Sequence, residues 1–125
     1  MNIIINGAGG RMGRALTAMI KAGCRNANLA GAVDPYVQGD GIVAQLNDCT
    51  AEADCIIDFS NHAGTDALLA YGLEKNLPVI VCTTGHTEQE LAAIEAAAQK
   101  IPVFRSGNMS LGIAVLTRLV KDAAK

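Results

Sequence analysis

Apolar residues in this chain fall into short runs separated by helix-length stretches of mixed character. Asn2–Asn6, Leu29–Asp34, Cys55–Phe59, Pro78–Cys82 and Pro102–Phe104 are rich in Ile, Val and Leu and bounded by turn residues, and they read as buried strands. Between them the spacing turns helical. Met12, Leu16, Met19 and Ile20 predict a helix from Arg11 to about Ala22 with Gly23 as its cap. A second helix is expected from about His62 to Lys75, ended by Asn76 and Pro78. Thr87 and Glu90 form a capping box that opens a third, turned inward through Leu91, Ile94 and Ala98. A last helical pattern runs through Ile113, Leu116 and Val120. Pro35–Gly41 reads as a loop, and Ile42–Leu46 fits either a short strand or a helical turn.

Strands alternating with helices predict an α/β protein: a Rossmann-like doubly wound parallel sheet, covered on both faces and forming a single domain over residues 1–125. Composition agrees, because half the residues are hydrophobic but only 3% are aromatic, so the core is aliphatic. A net charge of −2 with scattered lysines and arginines argues against nucleic acid or an anionic membrane as partner. No signal-peptide pattern and no membrane-length apolar run is present. Cys24, Cys49, Cys55 and Cys82 lack both Cys-x-x-Cys spacing and companion histidines, so reduced thiols are expected, with no metal site. These readings place the protein in the cytoplasm.

The segment Gly7-Ala8-Gly9-Gly10-Arg11-Met12-Gly13 joins the first strand to the first helix. A glycine-dense turn there lets a pyrophosphate approach the unpaired N–H groups and positive dipole end of the helix. Met12 breaks the Gly-x-Gly-x-x-Gly spacing, whereas Gly7, Gly10 and Gly13 satisfy Gly-x-x-Gly-x-x-Gly. Gly10 is expected to leave space for the phosphates and to admit a positive φ. Ligands of such sheets bind beyond the carboxyl ends of the strands, and four further segments lie there. Asp34, about twenty residues past the turn, can accept hydrogen bonds from both hydroxyls of an adenosine ribose. Phe59-Ser60 offers an aromatic that fits the dinucleotide or the core equally well. Cys82-Thr83-Thr84-Gly85 and Ser106-Gly107-Asn108-Met109-Ser110 supply small hydroxyls, an amide and a soft apolar surface suited to a nicotinamide and its ribose. His62 and His86 lack an acidic or nucleophilic neighbour in sequence and read as capping or solvent-exposed residues. No catalytic constellation is evident.

Together these segments, with Asn108-Met109-Ser110-Leu111-Gly112, resemble the nucleotide-binding domain of the 4-hydroxy-tetrahydrodipicolinate (dihydrodipicolinate) reductase family of lysine and diaminopimelate biosynthesis. The resemblance covers essentially the whole chain. It implies hydride transfer from NADH or NADPH to a cyclic imine-type dicarboxylate. Gly7, Ala8, Gly9, Gly10, Arg11 and Met12 would then wrap the pyrophosphate and Asp34 would hold the ribose. Cys82, Thr83, Thr84, Ser106, Gly107, Asn108 and Met109 would line the nicotinamide half. Two positions depart from the family: Cys82 replaces a small residue, and Ala114 replaces an asparagine. The family's substrate domain, with its His-His-x-x-Lys and Ser-Gly-Thr segments, has no counterpart here, so an excised domain or fragment is expected. The resemblance also implies a homotetramer for the full-length protein. Asp34, with no Arg or Lys among the residues that follow it, favours NADH over NADPH. Two other readings stay open from the sequence: another two-domain dehydrogenase of the homoserine or aspartate type, and a non-catalytic nucleotide-sensing module.

Overall fold

The computed structural model describes residues 1–39 and 41–124; Asp40, within the predicted loop, lies outside them. Six strands form one sheet: β1 (Asn2–Asn6), β2 (Asn28–Val33), β3 (Ile42–Val43), β4 (Cys55–Asp58), β5 (Val79–Val81) and β6 (Val103–Arg105). Their order is β3-β2-β1-β4-β5-β6, and all five ladders are parallel. The chain thus starts at the sheet centre, winds to one edge, then returns past β1 to build the other. That reversal opens a crevice at the carboxyl ends of β1 and β4.

Among the described residues four α-helices accompany the sheet: α1 (Arg11–Lys21), α2 (Thr65–Lys75), α3 (Glu88–Ala98) and α4 (Leu111–Ala123). One face of the sheet presents Ile4, Val33, Ile56, Val79 and Val81, which pack with Leu68 and Leu69 of α2 and Ile94 and Ala97 of α3. The other presents Ile3, Ile5, Ala32 and Cys55 against Ile20 of α1. Burial is continuous from Ile3 to Asn6 because successive side chains of β1 point to two faces that are both covered.

Several details differ from the sequence reading. The buried stripe of α1 is Gly13 and Ile20 with Leu16 half-buried, while Met12 and Met19 are 51% and 55% exposed. Gly13 draws the helix onto the glycine turn, and that rotates both methionines outward. In α3 the inward residue after Ile94 is Ala97, one position before the expected Ala98, and Ile101 continues the buried row. Ile42–Leu46 contains both alternatives, since β3 is followed by a 3-10 turn starting at Leu46. The cap on α1 is as expected, with Gly23 at φ +84 and its N–H donating to the Ile20 carbonyl.

The largest difference is at the β6 end. α4 forms, but all its described residues are exposed, including Leu116, Leu119 and Val120. Beside α1, the row Ile57–Ile80–Phe104 runs across β4, β5 and β6, and its last member is 57% exposed. Coverage is therefore complete on the α2–α3 face. On the other, no described helix lies over β5 and β6.

Candidate functional site

Two clefts have nearly the same volume. One, of about 870 Å³, lies at the amino edge of the sheet among Asn2, Asp54, Tyr71 and Lys75. The other, of about 880 Å³, lies at the carboxyl edge among Gly7, Gly10, Asp34, Tyr36, Phe59 and Ser60. Size does not separate them, but backbone polarity does. The start of α1 and the turn that leads into it lie at the second cleft, where N–H groups are available to an anion.

The glycines of the turn have different tasks. Gly7 adopts φ +82, and a Cβ there would lie 2.6 Å from the Phe59 carbonyl. Its N–H and that of Ala8 both donate to the Val33 carbonyl, at 2.8 and 3.0 Å, tying the turn to β2. Gly13 abuts Gly7 and Ala8, where a Cβ would sit 2.7 Å from the Ala8 Cα. Gly9 is buried under Val37. Gly10 alone is exposed, meets only the Gly7 carbonyl at 3.3 Å, and lines the cleft. Its φ is −73°, so the left-handed conformation expected there belongs to Gly7 instead. The Gly-x-x-Gly-x-x-Gly spacing thus marks a left-handed turn, an open helix start and a close helix contact. Arg11 and Met12 begin α1 and are exposed, while Ala8 is buried.

Gly10 caps α1 without a side chain, and the first turn of that helix holds no acidic residue. Each of the other helices has one or the other: Asp66 in α2, Thr87 and Glu90 in α3, Ser110 on α4. Of the four α-helices among the described residues, only the one that starts at the glycine turn is left electrostatically open to an anion.

Asp34 is buried and already engaged. Its Oδ2 accepts from the Gly9 N–H at 3.0 Å, and its Oδ1 accepts from Tyr36 and Val37 at 2.9 and 3.2 Å. A carboxylate oxygen has two lone pairs, so Oδ2 keeps one acceptor site for a further donor. The sequence suggested a ribose anchor; the structure adds that the same side chain fastens the glycine turn to the loop after β2.

Sequence reasoning missed Asp58. It is 2% exposed, at the end of β4, and it accepts from Asn6 Nδ2 at 2.9 Å, from Ser60 N and Oγ at 3.2 and 2.5 Å, and from Thr83 Oγ1 at 2.6 Å. The available signal was a carboxylate closing an apolar run two residues before a serine. Thr83 is consequently turned inward, and its hydroxyl proton is committed to Asp58. Cys82 next to it is half-buried, and burial followed by the charge of Asp58 pushes its thiol above the ordinary range. Thr84 remains exposed.

The Ser106–Met109 segment is more open. Ser106 Oγ donates to the Asn108 carbonyl at 3.1 Å, Asn108 Oδ1 accepts from the Ser110 N–H at 2.9 Å, and Met109 is exposed. Gly107 lies against Thr84, bringing the loops after β5 and β6 together. Gly7, Gly10, Asp34, Phe59 and Ser60 share the cleft, whereas Cys82–Thr84 and Ser106–Met109 are outside its lining.

The histidines differ from expectation. His62 Nδ1 lies 3.0 Å from Glu90, a residue 28 positions away that no local pattern connects to it. The carboxyl of Glu90 is held below its usual range, first by the Thr87 backbone N–H and then by His62. The ring nitrogens of His86 are enclosed, with no hydrogen-bond partner among the described residues, and the ring meets His62 edge-on. No group of three or more His, Cys, Asp or Glu among the described residues is placed to hold a metal, and no helix is long and apolar enough to cross a membrane.

Comparison with known proteins gives one family. Residues 1–109 match the family described as dihydrodipicolinate reductase, N-terminus. A 4-hydroxy-tetrahydrodipicolinate reductase of an Exiguobacterium species is 43% identical over 96% of this chain and 46% of its own length. One from Caldanaerobacter subterraneus is 38% identical over all of this chain and 50% of its own. A third, from a Bradyrhizobium species, is 39% identical over all of this chain and 52% of its own. The chain spans about half the length of the curated relatives it matches.

Proposed function

The chain belongs to the dihydrodipicolinate reductase family, and on that premise we propose that it is the nucleotide-binding part of a 4-hydroxy-tetrahydrodipicolinate reductase, taking NADH in preference to NADPH. One observation carries the nucleotide reading: of the four α-helices among the described residues, only α1 starts with neither a side-chain cap nor an acidic residue, and it opens on the cleft that holds Asp34. The residues present fit a dinucleotide, since Gly10, the exposed glycine of the turn, lines that cleft with no side chain in the way. The cofactor, when bound, supplies a hydride for reduction of a cyclic imine-type dicarboxylate in lysine and diaminopimelate synthesis.

The chain's own residues hold and orient. Gly7–Gly10 and the first N–H groups of α1 would take the pyrophosphate, and the free lone pair of Asp34 Oδ2 would take a ribose hydroxyl. The loops Cys82–Thr84 and Ser106–Met109 would flank the nicotinamide end. The dicarboxylate is assigned to residues outside this sequence, as is the tetramer contact, and the setting is the cytoplasm.

Calorimetric titration with NADH, NADPH and AMP tests this. A 2′-phosphate would meet the Asp34 carboxylate, so NADH is expected to bind about tenfold, or about 1.4 kcal/mol, more tightly. Asp34→Ala removes the charge together with the acceptor at Oδ2, and it should narrow that gap. Tighter binding of NADPH by the parent overturns the assignment of Asp34. The 125-residue chain alone is expected to show no substrate-dependent NADH oxidation.

A further inference from the structure

The nucleotide reading does not by itself account for Asp58. Burying a carboxylate costs several kcal/mol unless hydrogen bonds replace its hydration. An apolar residue would continue the Cys55-Ile56-Ile57 run at no such cost. Among the described residues no cation pairs with it. Its donors come from three separate places along the sheet's carboxyl edge: the end of β1, the loop after β4 and the loop after β5. Two of the four bonds are O–H···O contacts of 2.5 and 2.6 Å, the short range of charge-assisted hydrogen bonds. Asn6 Nδ2 also reaches Ser60 Oγ at 3.2 Å, which closes a triangle with Asp58.

Each donor sits beside a segment of the candidate site. Asn6 immediately precedes Gly7. The Phe59–Ser60 peptide is the surface on which Gly7 rests, close enough that a Cβ would lie 2.7 Å from the Ser60 nitrogen. Thr83 lies between Cys82 and Thr84, and Thr84 in turn touches Gly107. A single buried carboxylate therefore sets the spacing between the turn that would take the pyrophosphate and the loops that would flank the nicotinamide.

We infer that Asp58 is a positioning residue for the dinucleotide, acting through Ser60 and Thr83 to hold the loops after β4 and β5 in register with the glycine turn. This rests on the nucleotide reading above. Asp58→Ala would leave three sets of buried donors unpaired and risks unfolding the chain. The informative variant is Thr83→Val, which keeps the shape and leaves Asp58 its Asn6 and Ser60 donors; Thr83→Ser restores the hydroxyl.

In the purified chain, Thr83→Val is expected to weaken NADH binding about tenfold while AMP, which occupies only the adenosine half, changes less than about twofold. Thr83→Ser should return NADH affinity toward that of the parent. Without nucleotide, amide exchange in residues 82–87 should quicken in Thr83→Val and recover in Thr83→Ser. General destabilisation would instead lower NADH and AMP binding together, and that outcome overturns the positioning role. A parent that binds NADH, with a Thr83→Val variant that binds it equally, overturns this inference alone. A parent that binds neither nucleotide overturns the proposed function and this inference with it.

Discussion

At the β1–β2 end of the carboxyl edge, the polar groups that shape the site are already paired with each other. Asp34 fastens the glycine turn to the loop after β2, Asp58 fastens β1 to the loops after β4 and β5, and Gly13 seats α1 on the turn. At the β6–α4 end the hydrogen bonds are short-range in sequence, Ser106 to Asn108 and Asn108 to Ser110, and the helix that follows has no packed face. Both regions are strand–loop–helix units with apolar helix positions. Periodicity makes a helix in each, but only a facing surface buries one.

Matched glycines expose the difference most strongly. Gly13 is the third residue of α1, and Gly112 is the second of α4. Gly13→Ala forces a Cβ onto the Gly7–Ala8 backbone and should cost on the order of 3 kcal/mol in denaturant unfolding. Gly112→Ala meets nothing closer than ordinary contact, at 3.7 Å from Ser110 Oγ, and should add helicity worth up to about 1 kcal/mol to α4. Equal effects of the two would mean that α4 is packed or that α1 is not.

Gly10→Val separates binding from folding within the paired region. Its Cβ would sit 3.3 Å from the Gly7 carbonyl and its methyls at the exposed cleft, so thermal stability should fall less than in Gly13→Ala. NADH affinity should drop at least about a hundredfold, or about 2.7 kcal/mol. A variant that binds NADH as the parent does removes the turn from the phosphate site.

The His62–Glu90 contact adds a pH dependence to the paired side. The carboxyl of Glu90 is lowered on folding, so its stabilisation is full above the unfolded pKa and is lost as the pH falls through the lower folded value. The parent should therefore lose thermal stability progressively in the acid range below ordinary carboxylate titration. Glu90→Gln should flatten that part of the melting-temperature profile, melting below the parent near neutrality, where the stabilisation is full, and converging on it in acid. The smallest effect belongs to the open region, where Leu119→Lys should leave the unfolding free energy within about 0.5 kcal/mol of the parent.

The strands were legible because Ile3–Ile5, Ile56–Ile57 and Val79–Val81 are apolar runs too short for helices. The capping box at Thr87 and the cap at Gly23 were legible because each is decided within about four residues. That the glycines join β1 to α1 and that Asp34 follows β2 was legible for the same local reason. Asp58 was not, because its donors lie as far as 52 residues away in sequence and become neighbours only when β1 pairs with β4. The outward rotation of Met12 and Met19 depends likewise on how closely Gly13 lets the helix approach. The exposure of α4 could not be read from its sequence, since its pattern is that of a helix with a partner.

The central place of β1 has a consequence for how this chain acquires its structure. It is the first strand in the sequence, yet its two neighbours are β2, beginning at Asn28, and β4, beginning at Cys55. Ile3–Ile5 therefore gain their two neighbours only when strands that follow them in the chain have paired, β2 on one side and β4 on the other. Pairing of this kind closes long loops before any contact repays their entropy, so folding should be slow for the size of the chain. Until then the central strand of the core is open to pairing with other chains, which makes early folding an aggregation-exposed step.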